Sequence, residues 1–526
     1  MRILNFNLYA CGKINIHILG KIEETGLIVK AVIADVGSSN QKMVSAFNIT
    51  ENRPFIMFQN RKIYFFYDPP HLLKCTRNNL KNHYIITENG VMVFWCYIYK
   101  FYLIDSESDL RVAPKLTSKH FIENDFQKMK VKLASQLFSH TVAAGMNTCI
   151  KLKQLPESAK PTIDFILFMN RLFDLFNSTY VNHPNKYKRP YEDNPFQKNF
   201  ILYALNFIKS WKIGKIDANS FPFQTGWIIS IKSLTLLLDD LKKDYDLRFI
   251  CTRRLNQDPL ENFYGLCRLC CGANKNPPVY AFKYIFKKLS LSTLIEPPDS
   301  ANCLMDNDYI LLKSTEIITS YASSKLQMTS GSNVPKEFDE KMLTTLLSQR
   351  KSPRDFTPLQ ENSLYYYAGY VIRLYLSKHK CTTCENFLCS KQKLSEVKSM
   401  EQVFTAYKSY SPNQMDLFSS LKLASDDFYS FVKCLEKKFY ELFSLQVFLP
   451  NVKTKIIKYY IENYNSQISN KLCKDDQITP ILDIYVRCKI FFAVRMNNRK
   501  TGRKLGLTKA FLKNLKKYTD IDVNDL

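Results

Sequence analysis

The chain contains no uninterrupted run of about 18 apolar residues, the minimum for a membrane-spanning helix, although 46% of its 526 residues are hydrophobic. Its longest apolar stretch, "VMVFWCYIYKFYLI" from Val91, is broken by Lys100. That stretch is rich in aromatic and β-branched side chains and reads as a buried strand. The opening residues, "MRILNFNLYACGKINIHILG", are too polar for a secretory signal. The 15 cysteines are therefore expected to be reduced thiols of an intracellular protein. No G-x-x-x-x-G-K-[ST] occurs, so any nucleotide site is of another type than the P-loop. No repeat with a period of about 20 to 50 residues occurs, which argues against a solenoid or propeller. Acid is scarce: 48 Asp and Glu face 74 Lys and Arg, a net charge of +26 that calls for an anionic partner. Nucleic acid is the first such partner and a membrane surface the second.

At roughly 150 residues per domain, the length implies two to four domains. From Gly26, "GLIVKAVIADVGSSNQKMVSAF" reads as a strand ending in Asp35 and a turn into a helix. "KIYFFYDPPHLLKCTRNNLKN" repeats the pattern: its strand ends in Asp68, and Pro69 and Pro70 open a helix carrying Lys74 and Arg77. Strand, acid, helix, twice over, is an α/β signature. Ligand and catalytic groups in such sheets favour the carboxyl ends of strands, while helix capping is the simpler role for Asp68. Between residues 109 and 250 the apolar spacing becomes helical. Two linker-like stretches, "SGSNVPKEFDEK" and "SQRKSPRDFTP", then precede the helical "ENSLYYYAGYVIRLYL". The run from Arg495 to Lys517 is basic with no acid, either a solvated helical face or a phosphate-contacting tail.

The stretch "LNQDPLENFYGLCRLCCGANKNPPVYAF" from Leu255 has two readings. In the first, Asp258 is a helix N-cap, Pro259 the first helical residue, Glu261 the partner in a capping box and Gly272 the stop signal. In the second, Asp258 and Glu261 place two carboxylates on one face of a helix start, where a divalent metal can bind. The same helix holds Cys267 and Cys270, which at that position pack rather than ligate. Cys381, Cys384 and Cys389, with His379 in "HKCTTCENFLC", form a partial zinc-ligand set of no committed role.

Asp35 and Glu261 together suggest one metal site assembled from the two sides of an inserted domain. Phosphodiester chemistry needs such a site, because two divalent ions activate the attacking oxygen and stabilise the leaving one. In order along the chain, "ADVGSSNQ", "YFFYDPPHLLKCTRNNL", "APKLTSKHF", "KMKVKLASQLFS" and "NQDPLENFYGLCRLCCGANKNPP" resemble the P-element family of transposases, including its THAP-type relatives, over roughly residues 20 to 290. The resemblance implies an α/β ribonuclease H-like catalytic core split by a mostly α-helical GTP-binding insertion domain, with a basic helical C-terminal region. The corresponding map is 1–108 and 251–376 for the two parts of the core, 109–250 for the insertion and 377–526 for the Cys-containing C-terminal region. It further implies metal-dependent DNA cleavage and strand transfer, with Mg2+ or Mn2+ as the metal and GTP as a cofactor for assembly. Transposon ends and target DNA are the implied partners, in a nuclear homo-oligomer with no membrane role.

Carried over by position, Asp35 matches the family's second catalytic and metal-binding carboxylate and Glu261 its third. Asp258 matches an acid associated with the nucleotide. Lys115 matches a phosphate-side lysine, and Val131 and Ser139 match positions lining the nucleotide. Asp174 and Asn177 match residues that read the guanine edge, where a carboxylate can accept from both N1–H and N2–H. Two departures stand out. No C-x-x-C…C-x-x-H zinc module precedes Asp35, and the only acids before it, Glu23 and Glu24, lie in the helix-like "LGKIEETG" rather than on a strand. On this reading the catalytic set lacks its first Asp, and the chain is expected to be a truncated transposase that binds DNA without cutting it. The alternatives are a domesticated, non-catalytic DNA-binding or assembly protein and a guanine-nucleotide-regulated interaction protein.

Overall fold

Ala31–Ala34 form β1, four consecutive buried residues of the kind found where a sheet is covered on both faces. This computed structural model describes residues 12–121, 125–214, 220–272, 274, 276–291, 355–392, 399–409, 421–446, 451–473 and 478–501. β2 (Phe55–Phe58) and β3 (Arg61–Tyr67) form a hairpin whose two turn residues, Gln59 and Asn60, have φ of 46° and 60°. Positive φ at both positions suits the twist of paired strands. β1 lies parallel to β3, in the order β1-β3-β2. Ala34 is in register with Tyr67, so Asp35 and Asp68 leave the sheet side by side, and the Asp68 amide donates to the Ala34 carbonyl at 2.8 Å.

Each acid turns into a helix: α1 (Ser38–Ala46) after Asp35 and α2 (Pro69–Asn82) after Asp68. Asp68 does cap α2, accepting the His71 amide at 3.0 Å. Pro69 and Pro70 occupy the first turn, where a missing N–H costs nothing. The stretch read as a buried strand departs from expectation. Only Met92–Val93 is extended, as β5 beside β4 (Ile85–Ile86), with β6 (Lys212–Ile213) on the other side of β4. The residues after it form α3 (Trp95–Ser106). Ile98, Phe101 and Asp105 are its buried positions, a helical spacing, so burial along one stripe overrides the aromatic preference for strand.

Three longer helices follow: α4 (Lys160–Leu175), α5 (Pro195–Lys209) and α6 (Pro222–Tyr245). α6 lies against β3 and satisfies polar groups there. The Ser233 hydroxyl donates to the Phe65 carbonyl at 2.5 Å, and Ser230 bonds both the amide and the carbonyl of Tyr67. Trp227 Nε1 donates to Thr76 Oγ1 of α2 at 3.1 Å. α7 (Asp258–Cys270) ends at Gly272, whose φ of 69° is the left-handed stop expected there. It packs on α8 (Val279–Leu291) through Cys267, Ile285 and Leu289, so Cys267 is a packing residue.

These elements belong mainly to one compact unit, Met1–Lys100, Lys115–Ala143 and Glu157–Gly331. The second comprises Phe101–Pro114, Ala144–Pro156 and Ser332–Leu526. Its helices are α9 (Pro358–Lys378), α10 (Thr382–Leu388), α11 (Asp426–Gln446), α12 (Val452–Tyr464) and α13 (Ile478–Thr501). Thr357 and Gln360 form a capping box at the start of α9. Leu364, Val371, Leu435, Ile456 and Leu482 share its core. A buried Glu436 there accepts from Tyr485 Oη and Lys489 Nζ, each at 2.7 Å.

The linker-like stretches, apart from the end of the second, lie outside the described residues, as do the side chains of the basic run from Arg495. No described helix is long and apolar enough to cross a membrane. Gly369 of α9 sits against the backbone carbonyl of Lys422, where a Cβ would overlap the oxygen. Gly369→Ala is therefore expected to lower stability by about 1–3 kcal/mol, the usual range for overpacking, read as a lower urea midpoint with an unchanged m-value.

Candidate carboxylate site and guanine-side residues

The site grows from the two acids at the carboxyl ends of β1 and β3. Asp35 Oδ1 accepts from the Gly37 amide at 2.8 Å and from Asn40 Nδ2 at 2.7 Å, which fixes the carboxylate and leaves Oδ2 without such a bond. Asp68 is only 1% exposed, and both its oxygens are engaged. Oδ1 accepts the Gln257 amide at 2.7 Å, and Oδ2 accepts the His71 amide and faces His71 Nδ1 at 2.5 Å. Gln257 Nε2 also reaches the Ile33 carbonyl of β1 at 3.5 Å. The residue before Asp258 is thus pinned to the sheet, far along the chain from the strands that hold it.

This bond sets where α7 begins. Asp258 was expected to be the N-cap; instead Gln257 occupies that position, without a side-chain cap bond, and Asp258 is the first helical residue. The capping box to Glu261 does not form, and the Glu261 amide donates to the Gln257 carbonyl at 2.9 Å. Tertiary bonds to Gln257 fix the helix start one residue earlier than the local spelling suggests. The Asp258 side chain is buried, and Glu261 Oε1 lies 3.8 Å from His71 Nε2. Side-chain contacts therefore run from Asp68 through His71 to Glu261, with Asp35 at the end of the neighbouring strand.

The charges follow from these contacts. Burial pulls the His71 imidazole down, but the hydrogen bond and charge of Asp68, with help from Glu261, outweigh it, and the net shift is above 6.5. Glu261 is raised above 4.5 by burial first and by the Asp68 charge, against the pull of His71 and Lys74. The stabilisation from His71 is fully present below its unfolded pKa and is lost as pH rises through the higher folded value.

On the helical side, Asp174 lies in the last turn of α4 and Asn177 just beyond it, the Asn177 amide donating to the Asp174 carbonyl at 3.3 Å. Asp174 Oδ2 accepts from Asn170 at 3.3 Å and Asn185 at 3.2 Å, and Oδ1 faces Lys188 Nζ at 3.7 Å. Burial pushes Asp174 up to about 6 against those partners. Asn177 Oδ1 is buried with no partner, an acceptor awaiting a donor. Lys115 is exposed in a turn, Val131 begins the short helix Val131–Leu137, and Ser139 Oγ accepts the Val142 amide at 3.4 Å. These three stand on separate segments. The end of α4 is tied to the stretch ahead of Asp258: Thr252 Oγ1 donates to the Leu175 carbonyl at 2.5 Å, and the Arg253 amide donates to Ser178 at 3.2 Å.

The family described as "TNP-like, GTP-binding insertion domain" matches residues 70–190, and that described as "TNP-like, RNase H C-terminal domain" matches residues 254–287. The chain is 31% identical over 370 residues to the transposable element P transposase of Drosophila melanogaster, covering 68% of this chain and 47% of that protein. Over that span it is similar to the P-element transposases. This P-element-like chain is also 24% identical over 293 residues to the human DNA transposase THAP9, covering 52% of this chain and 32% of that protein. It therefore spans half or less of the length of the curated relatives it matches. A chain of the Drosophila P element transposase strand transfer complex matches with a TM-score of 0.49 and 30% identity, over 54% of this chain and 64% of that one. The fold thus combines a ribonuclease H-like part with a GTP-binding type of insertion domain.

Reasoning from sequence missed His71 and Gln257, and for Asp68 it favoured the cap over a role in the site. The signal lay in "YDPPH", where an acid and a histidine three residues apart share one helix turn. Asp68→Asn should leave a buried donor poorly satisfied and cost about 1–3 kcal/mol. With the Asp68 charge gone, burial dominates His71, and its imidazole should titrate below 6.5 instead of above it, read by NMR on isotope-labelled histidine.

Proposed function

We propose that this chain acts as a P-element-like transposase component, with DNA as substrate and GTP as an assembly cofactor, and that Asp35 and Glu261 hold its divalent cation. The observation that carries the reading is the Asp68–Gln257 bond, which attaches the start of α7 to the strand beside Asp35. The donor set suits a hard cation: Asp35 keeps one oxygen free of hydrogen bonds, and Glu261 is partly open, with His71 as its neighbour and a raised proton affinity. When bound, Mg2+ or Mn2+ would supply Lewis acidity toward a phosphodiester oxygen. Asp68 does not join the ligands on this reading, since both its oxygens are spent; it positions Glu261. Mn2+ affinity should rise with pH as Glu261 loses its proton, and Asp35→Ala and Glu261→Ala should each abolish binding in calorimetry. Unchanged affinity in both variants would remove the assignment.

Asp174 and Asn177 read the guanine edge on the same proposal, with Lys115 on the phosphate side and Val131 and Ser139 along the nucleotide. Asp258 links that site to the carboxylates through the Thr252–Leu255 turn. The family match at residues 70–190 and the unpaired Asn177 oxygen support this reading. A proton on Asp174 would replace an acceptor with a donor, so GTP affinity should climb as pH rises through about 6 and then level off. Asp174→Ala should erase the preference for GTP over ATP, a loss of roughly ten- to a hundredfold for a buried paired acceptor. Equal affinities for the two nucleotides in the unmutated protein would overturn it. Nuclear localisation and a homo-oligomeric state belong to the same proposal; the charge of +26 supports its DNA-binding part, and duplex affinity should fall steeply with added salt.

A further inference from the structure

The second compact unit holds a cluster that the transposase reading does not use. His379, Cys381, Cys384 and Cys473 offer one imidazole nitrogen and three sulfurs, all within 4.8 Å of one another. His379 ends α9, Cys381 precedes α10, Cys384 lies buried within α10, and Cys473 follows the turn Ser469–Lys471. Cys473 Sγ is 3.3 Å from His379 Nε2. The sequence grouped Cys389 with Cys381, Cys384 and His379 as a partial set, but Cys389 bridges to Ala424 as extended backbone and stands outside the cluster. The fourth member of the cluster, Cys473, comes from a segment that no local spacing could connect.

We propose that His379, Cys381, Cys384 and Cys473 form a structural zinc site. Ligand sulfurs at about 2.3 Å from a tetrahedral ion are roughly 3.8 Å apart, so the four atoms need only a small inward adjustment. Three thiolates and one imidazole are a soft, closed set with no position left for substrate, which selects zinc in a structural role over Mg2+ or Mn2+. The surroundings fit thiolates: Tyr375 Oη donates to Cys384 Sγ at 3.6 Å, and the amides of Thr383 and Cys384 donate to Cys381. The ion would tie the end of α9 to the segment after α12, closing a long loop of chain across the helical core.

The test uses the full chain, purified under reducing conditions without chelator. Elemental mass spectrometry should find about one zinc per chain, and replacing zinc with Co2+ should give the thiolate charge-transfer band and intense visible bands of a tetrahedral site. Cys384→Ser and Cys473→Ser should each lose the metal, while Cys389→Ser should keep it. Because Cys473 is exposed, its serine variant should remain folded even if the Cys384 variant does not. Substoichiometric zinc in the unmutated chain, zinc retained by Cys473→Ser, or a disulfide between two of these cysteines in the reduced preparation would each overturn the proposal.

Discussion

The amino-terminal unit depends on one buried carboxylate. Asp68 ends β3, caps α2, orients His71 and accepts the amide of Gln257, a residue nearly two hundred positions later. A carboxylate this deeply buried is tolerated only because several N–H groups meet it. The helical segments between α2 and α7 can therefore be inserted while the start of α7 stays bonded to the end of β3. α6 reinforces the arrangement, because its serines bond the backbone of β3 and its Trp227 reaches α2.

The same geometry links the two ends of the proposed chemistry. The end of α4, with Asp174 and Asn177, is hydrogen-bonded to Thr252 and Arg253, a few residues before Asp258 and Glu261. Ligand contacts on Asp174 would order the end of the helix that this turn grips. The raised proton affinities of Asp174 and Glu261 share a cause, burial that outweighs the pull of the partners each already has.

The second unit is organised differently, as helices around one apolar core that holds a buried ion pair between Glu436 and Lys489. Such a pair adds little net stability but is costly to break from one side, so it fixes the register of α11 against α13. The proposed zinc site would act at the periphery of that core, where short turns rather than long helices must be held in place.

Much of this was written in the sequence. The two strand–acid–helix passages, the cap at Asp68, the stop at Gly272 and the helical block were all legible, because each rests on local periodicity or on turn chemistry within a few residues. Family resemblance, carried by several motifs in order, supplied the fold class. The helix at Trp95–Ser106 was misread because aromatic residues favour strands until one face is buried. The start of α7 was placed one residue late because Asp68, not the local capping pattern, holds Gln257. Local sequence determined which side chains end strands and open helices. Tertiary structure alone decided that His71 would stand between Asp68 and Glu261 and that Cys473, not Cys389, would join His379, because such partners meet through packing of distant segments and leave no spacing to read.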